Sequence, residues 1–155
     1  MTLSDYEIEI KNCSLKESES VFQKIADSYE NDLLKFDIFP DDHFNFFLRL
    51  LSEKQFYSKP GLWNFLLVVG TEKHKLSSIH YNRIADSILC NYLHYQDENL
   101  CLAVCDFIAR NFEQNEAEKL LLKLKEIDAQ KAMQGFANDG LRILSNEKKR
   151  IKYDV

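Results

Sequence analysis

Apolar residues recur at three- and four-residue steps along most of the chain, a spacing that places them on one face of an α-helix. The pattern is clearest in residues 79–112, where two apolar stripes flank the polar triplet Gln96-Asp97-Glu98. The stripes consist of Tyr81, Ile84, Ala85, Ile88, Leu89 and Tyr92, and of Leu100, Ala103, Val104, Phe107 and Ile108. Asp97 suits the N-cap of the second helix, because its carboxylate can accept from backbone N–H groups that lack intrahelical partners. The segment therefore predicts two antiparallel helices joined by a very short turn.

The same spacing predicts further helices before and after this hairpin, about seven in all. They cover about residues 15–36, 42–54, 58–70, 115–127 and the segment that follows Asp128. Their candidate N-caps, with that of the hairpin's first helix, are Ser14, Ser58, Ser77, Asn115 and Asp128. Gly140 lies on the apolar stripe of the last helix. Because glycine weakens a helix, its position there predicts that a neighbouring helix approaches closely.

The first eleven residues follow a different period. Apolar and acidic residues alternate, as in a β-strand, in the order Asp5, Tyr6, Glu7, Ile8, Glu9 and Ile10. The run is short and has no evident pairing partner, so it predicts a short extended segment, one strand at most.

Helix starts recur at a nearly constant interval in the middle of the chain. Ser58, Ser77, Asp97 and Asn115 are spaced by 19, 20 and 18 residues. Antiparallel helix pairs with this period resemble HEAT or armadillo repeats over about residues 44–144. The resemblance implies an all-α fold, a right-handed stack of antiparallel helix pairs, within a single domain over residues 1–155. A compact helical bundle is the alternative architecture.

Composition supports the helical interpretation and bounds the class of protein. Hydrophobic residues make up 45% of the 155, whereas the chain contains only 4 Gly and 2 Pro. So few turn formers argue against an all-β sandwich. The N-terminus shows no basic segment followed by an apolar one, and the longest apolar run is residues 65–69. We therefore expect a cytoplasmic protein without a membrane span.

Charge is distributed unevenly along the chain. Residues 1–53 carry 12 Asp and Glu against 5 Lys and Arg, and the remainder carries 13 against 15. Six carboxylates and two aromatic residues lie close together in the acidic part: Asp27, Tyr29, Glu30, Asp32, Asp37, Phe39, Asp41 and Asp42. An acidic surface repels phosphate backbones, which argues against nucleic-acid binding. The cluster is either a solvated face or a docking surface for a basic protein, with carboxylates for steering and Phe39 for anchoring.

Metal and catalytic chemistry have little support in the sequence. Cys90, His94, Cys101 and Cys105 have spacings that zinc could use, but on helices Cys90 and His94 fall opposite the stripe that should meet the second helix. Buried cysteines are common as small apolar residues, so we expect no metal and no cofactor. No glycine-rich phosphate loop or nucleophile motif is present, and we expect that the protein is not an enzyme.

A small, acidic helical protein without catalytic motifs is similar in type to the immunity proteins of bacterial toxin–immunity systems, including contact-dependent growth inhibition. The resemblance implies a monomer that binds and neutralises a cognate basic toxin domain, commonly a nuclease, in the cytoplasm. Two alternatives remain, a helical-repeat adaptor or scaffold without an inhibitory role, and an enzyme whose site the sequence does not reveal.

Overall fold

A computed structural model describes residues 1–126 and 131–153, and the described chain is entirely helical without a strand. Nine α-helices occur in this part of the chain: α1 (Leu3–Asn12), α2 (Ser18–Leu33), α3 (Asp41–Ser52), α4 (Lys54–Tyr57), α5 (Trp63–Thr71), α6 (Ser78–Asn91), α7 (Glu98–Asn111), α8 (Gln114–Lys125) and α9 (Lys131–Tyr153). Short 3₁₀ turns span Lys73–Lys75 and Tyr92–His94. The seven predicted helices are present with shifted ends, and α1 and the four-residue α4 are additional. The predicted cap Asp128 lies outside the described residues.

The predicted extended segment at the N-terminus is wrong, because these residues form α1. Thr2 and Asp5 close a capping box, in which Thr2 Oγ1 accepts from the Asp5 amide at 3.2 Å and Asp5 accepts from the Thr2 amide at 2.8 Å. Tyr6 and Ile10 are buried, whereas Ile8 is exposed. Positions 6 and 10 share a face in a helix as well as in a strand, so the alternating pattern fits both structures and the cap decides between them.

The helices pack in two interleaved series. In the first series α2 packs against α5, α5 against α7, and α7 against α9. In the second series α3 packs against α6, and α6 against α8. α8 also packs against α7 and α9, which joins the series, and α1 and α4 pack against the first helices at the N-terminal end.

This packing corrects the predicted hairpin. The caps Ser77 and Asp97 are confirmed, since both side chains accept from backbone amides at the starts of α6 and α7. Among the described helices, however, α6 packs mainly against α3, with a smaller contact to α8, and α7 packs against α5, α8 and α9. Tyr81 and Phe112, with ring centroids 5.1 Å apart, join the pair at one end. Each helix belongs to a different series, so its apolar face is covered mainly by other neighbours.

Two of the regularly spaced caps are wrong. Glu113, rather than Asn115, caps α8, because its carboxylate accepts from the amides of residues 115 and 116 at 3.1 and 3.2 Å. Ser58 ends α4, and the chain then turns at Gly61, whose φ is +118°. A Cβ at Gly61 would lie 2.9 Å from the Glu19 Cα and the Phe22 Cβ, so this turn presses against α2. α5 therefore begins at Trp63, five residues after the predicted start at Ser58.

The core is one contiguous cluster of buried apolar residues that reaches from α1 to α9. α7 packs against three other helices, α5, α8 and α9. The close approach predicted at Gly140 is confirmed, since a Cβ there would lie 3.1 Å from a Leu121 methyl group and 3.6 Å from the Ala109 Cβ. None of the described helices is both long and apolar enough to cross a membrane.

Candidate functional site

The predicted acidic cluster maps to the end of α2, the start of α3 and the connection between them. Asp27, Asp37, Asp41 and Asp42 are exposed, whereas Glu30 and Asp32 are half-buried. Residues 27–42 contain one lysine, Lys35, against these six acids. We call residues 34–42 the acidic turn. It carries a concentrated negative charge at the surface, as the sequence predicted, but its members differ in what they contact.

Asp32 and Asp42 are brought together by His43. Asp42 Oδ1 lies 2.7 Å from the His43 amide and 2.9 Å from His43 Nδ1. His43 Nε2 lies 3.5 Å from Asp32 Oδ2, which also accepts from the Tyr6 hydroxyl at 2.8 Å. The hydrogen bond from His43 lowers the pKa of Asp42 below its ordinary value. Asp32 on α2 therefore contacts both α1 and α3, whereas Asp42 contacts its neighbour within α3 and adds to the negative charge of the surface.

The two aromatic residues of the cluster lie in the core. Phe39 is 2% exposed, and its ring packs near those of Tyr29 and Phe44, with centroids 6.4 and 5.8 Å away. Tyr29 is also fully buried and donates its hydroxyl proton to the His43 carbonyl at 2.5 Å. Phe39, which the sequence offered as a partner-binding residue, therefore supports the acidic turn from beneath and presents no surface.

Three other apolar side chains of the acidic turn point to solvent. Leu34, Phe36 and Ile38 are 65%, 41% and 75% exposed. We call these three side chains the apolar ridge. The sequence did not reveal it, because the helix predicted over about residues 15–36 includes Leu34 and Phe36, whereas α2 ends at Leu33. The available signal was the alternation of these residues with Lys35 and Asp37 after the helical period ends.

The acidic turn is held by two buried charged residues that follow α5, Glu72 and Lys75. Glu72 and Lys75 are both buried, with Lys75 Nζ 2.9 Å from Glu72 Oε2. The same ammonium group donates to the carbonyl oxygen of Leu33 at 2.5 Å, at the C-terminal end of α2. The Lys75 carbonyl in turn accepts from the Phe39 amide at 3.1 Å. This lysine thus contacts both ends of the connection between α2 and α3.

An open groove adjoins the acidic turn. Its volume is about 550 Å³, and it lies between the N-terminal residues and the α2–α3 connection. Its charged and aromatic lining consists of Asp32, Lys35, Phe36, Asp42 and His43. The groove therefore offers carboxylates beside one face of the apolar ridge.

The candidate metal ligands do not converge. Cys90 is exposed at the end of α6 and His94 is exposed in the following 3₁₀ turn, whereas Cys101 and Cys105 are buried in α7. Burial raises the pKa of Cys101 to about 11 and that of Cys105 to about 12, which keeps both thiols protonated. Cys105 Sγ lies 3.5 Å from Met133 Sδ. Within residues 1–126 and 131–153, no three His, Cys, Asp or Glu side chains are grouped to hold a metal ion.

The two tyrosine hydroxyl groups of this region, those of Tyr6 and Tyr29, both donate structural hydrogen bonds. Tyr6 donates to Asp32, and burial with this carboxylate raises the pKa of Tyr6 to about 12, which disfavours the phenolate as a nucleophile. The acidic turn and the adjoining groove therefore offer charged groups and apolar surface for binding. No protein-family model, curated protein or solved structure matches the chain, so none supplies a function by similarity.

Proposed function

We propose that this protein is an immunity protein that binds a cognate toxin domain and neutralises it by stoichiometric inhibition. The supporting observation is that exposed carboxylates and exposed apolar side chains share one acidic turn. An enzyme that cleaves nucleic acid needs a basic cleft for its phosphate substrate, and an acidic surface is complementary to it. The proposed partner is therefore a basic toxin domain, in particular a nuclease. The proposed state is a cytoplasmic monomer that joins its partner in a complex.

We also infer that the helices form a right-handed, HEAT-like stack of antiparallel pairs. The two packing series support this arrangement, because each helix from α2 to α7 contacts the helix two positions further along once the short α4 is set aside. Neighbouring repeats in a solenoid contact each other in this way. α2 and α3 are the first helices of the two series, so the acidic turn that joins them lies in the first pair.

A second candidate function is a helical adaptor without inhibitory activity. A second groove favours it, lined by Trp63, Leu67 and Leu102 between α5 and α7, with a volume of about 450 Å³. Leu67 and Leu102 are about half exposed. An adaptor would use this groove and the acidic turn for two different partners. An immunity protein would need only the turn, so growth protection separates the two functions.

The first experiment tests protection against toxicity. The C-terminal domain encoded by the gene directly upstream is expressed in a bacterial host with and without this protein. We expect that the upstream domain arrests growth, that co-expression restores it, and that the two chains co-purify as a stable complex. A non-toxic neighbour, or a toxic one against which the protein gives no protection, would rule out the immunity function.

The second experiment tests the acidic turn. Replacing Asp37, Asp41 and Asp42 by lysine should slow association with the toxin domain by about tenfold to a hundredfold at low salt, because steering by opposite charge is lost. The salt dependence of the association rate should weaken as well. Stopped-flow or surface plasmon resonance gives both values.

The control for charge reversal keeps the net charge equal. Asp86, Glu98 and Glu126 are exposed carboxylates elsewhere, and replacing all three by lysine changes the net charge by the same amount. Because Asp41 and Asp42 lie in the first turn of α3, a triple asparagine variant with a thermal melt checks that slower binding is not caused by unfolding. Equal association rates for the two lysine variants would show that the partner docks elsewhere.

A further inference from the structure

We propose that the apolar ridge, formed by Leu34, Phe36 and Ile38, is the anchor that holds the partner after encounter. The partner is a protein whose surface presents an apolar pocket framed by lysine or arginine. This inference rests on the proposed function, since it names the side chains through which the same acidic turn would bind. It assigns affinity to residues that differ from the carboxylates and from the buried Phe39.

The first observation is the clustering of exposed apolar side chains. The ridge places three of them within five residues. Among the other exposed large apolar residues, Leu67 and Leu102 share the groove between α5 and α7. The rest include Ile8 on α1, Leu15 before α2, Ile79 on α6 and Leu122 on α8. Single exposed apolar residues are normal on soluble proteins, whereas contiguous ones commonly mark interaction sites.

The second observation is that the ridge sits on a fixed backbone. The amides of Leu34 and Phe36 donate to carbonyls of residues 30 and 33 at 3.2 Å each, which continues the end of α2. Lys75 then fixes Leu33 and Phe39, the buried residues that flank the ridge on both sides. A preorganised segment loses little conformational entropy when it binds, so its apolar contacts are converted efficiently into affinity.

The third observation is the charge around the ridge, which indicates what kind of partner binds it. Asp37 lies between Phe36 and Ile38, and Asp41 and Asp42 follow after Phe39 and Pro40. Lys35 is the one cation of the acidic turn, so these three carboxylates leave the turn with a net negative charge. A second copy of this chain would bring like charges together, and a membrane with anionic lipids would repel them. A basic protein surface satisfies the carboxylates while its apolar pocket covers the ridge. The observations therefore favour a protein partner over self-association and over a lipid surface.

The carboxylates and the apolar ridge should control different rate constants of binding. Long-range attraction by exposed carboxylates acts mainly on the association rate, whereas desolvated apolar anchors act mainly on the dissociation rate. Truncating an anchor at the centre of an interface commonly weakens binding by about 10- to 100-fold. We therefore expect ridge variants and charge variants to affect different rate constants.

The experiment measures binding to the C-terminal domain encoded directly upstream, inactivated by a mutation in its own catalytic site. The ridge variant replaces Leu34 and Ile38 by serine. The control replaces Leu15 and Ile79 by serine, two apolar residues with exposures of 65% and 67% that lie on other elements. Surface plasmon resonance at low and at high salt gives both rate constants, and thermal melts compare the folding of the two variants.

We expect the ridge variant to dissociate at least about 100-fold faster than the wild type, with an association rate within threefold. The control variant should bind like the wild type, and the triple asparagine variant of Asp37, Asp41 and Asp42 should mainly associate more slowly. A second, milder pair, Leu34→Ala and Ile38→Ala, should give an intermediate dissociation rate and guards against a folding defect.

Several results would overturn the inference. If the wild type binds and protects but the ridge variant dissociates at the wild-type rate, the anchor lies elsewhere and the immunity function stands. If the wild type neither binds nor protects, the proposed function fails and this inference fails with it. Ridge-dependent binding to phosphatidylcholine–phosphatidylglycerol vesicles would show that the ridge is a membrane contact. Ridge-dependent dimerisation in sedimentation would show that it is a self-association surface.

Discussion

The buried lysine beneath the acidic turn provides the sharpest test of how the turn is built. Lys75 and Glu72 have side chains that are each 7% exposed, and they form an ion pair at 2.9 Å. Replacing Lys75 by methionine keeps the length of the side chain but leaves the Glu72 carboxylate and the Leu33 carbonyl without this donor. Removing one partner of a buried ion pair commonly destabilises a protein by about 3–5 kcal/mol. We expect a loss of stability in this range.

The expected change in melting temperature follows from the size of the chain. The entropy of unfolding is about 2.1 cal/mol/K per residue, which gives about 0.33 kcal/mol/K for 155 residues. A loss of about 3–5 kcal/mol then lowers Tm by about 9–15 °C. Lys73→Met serves as the control, because Lys73 is exposed in the same 3₁₀ turn and should change stability by no more than about 0.5 kcal/mol.

A double variant separates the effect of losing the ion pair between Glu72 and Lys75 from the effect of altered side-chain packing. In Glu72→Gln with Lys75→Met both charges are absent, so the uncompensated carboxylate that dominates the single variant is removed. We expect the double variant to be more stable than Lys75→Met alone. Urea unfolding gives the free energies, and hydrogen exchange at the amide of Phe39, which is bonded to the Lys75 carbonyl, reports local opening of the turn.

Two results would refute this reasoning. A Lys75→Met variant within about 0.5 kcal/mol of the wild type would show that the pair carries no net stability at this site. A double variant that costs the full sum of the single variants would show that the two side chains act independently.

Two further predictions concern the packing of α9 and the ion pairs of Arg49 on α3. Gly140→Val should destabilise the protein by about 1–3 kcal/mol in urea unfolding, because its side chain would press on Leu121, whereas Gly135→Ala in the same helix has open space and should stabilise it by about 0.5–1 kcal/mol. Equal effects at the two glycines would contradict the close helix approach. Arg49 donates to the carboxylates at positions 7 and 53 at 2.7–2.8 Å, and these bonds lower the pKa of both groups. The stability that this network contributes is therefore present at neutral pH. It is lost as the pH falls from about 4.5 through the lowered pKa values of the two carboxyl groups. Arg49→Met should therefore reduce the free energy of unfolding by about 1 kcal/mol at pH 7 and by almost nothing near pH 2.5. A cost that does not change with pH in thermal melts would show that Arg49 acts through packing alone.

The sequence by itself determined which segments are helical and where the charge lies. Helical periodicity and caps such as Ser77 and Asp97 depend on residues within one or two turns, so they can be read locally. The count of six carboxylates against one lysine in residues 27–42 is likewise a property of the sequence. Even local reading failed where two patterns coincide, as at Tyr6 and Ile10, whose spacing suits a strand and a helix alike.

Only the tertiary structure decided which surfaces meet and which side chains remain exposed. α6 lies against α3 rather than pairing extensively with α7, because neighbours in a packed array are set by shape and total burial rather than by order along the chain. Phe39 is buried and Ile38 is exposed, although they are adjacent and both apolar. The Phe39 amide donates to the carbonyl of Lys75, 36 residues further along the chain, and the Phe39 ring packs near Tyr29 and Phe44. Such long-range contacts leave no local pattern, and they determine what the acidic turn presents to a partner.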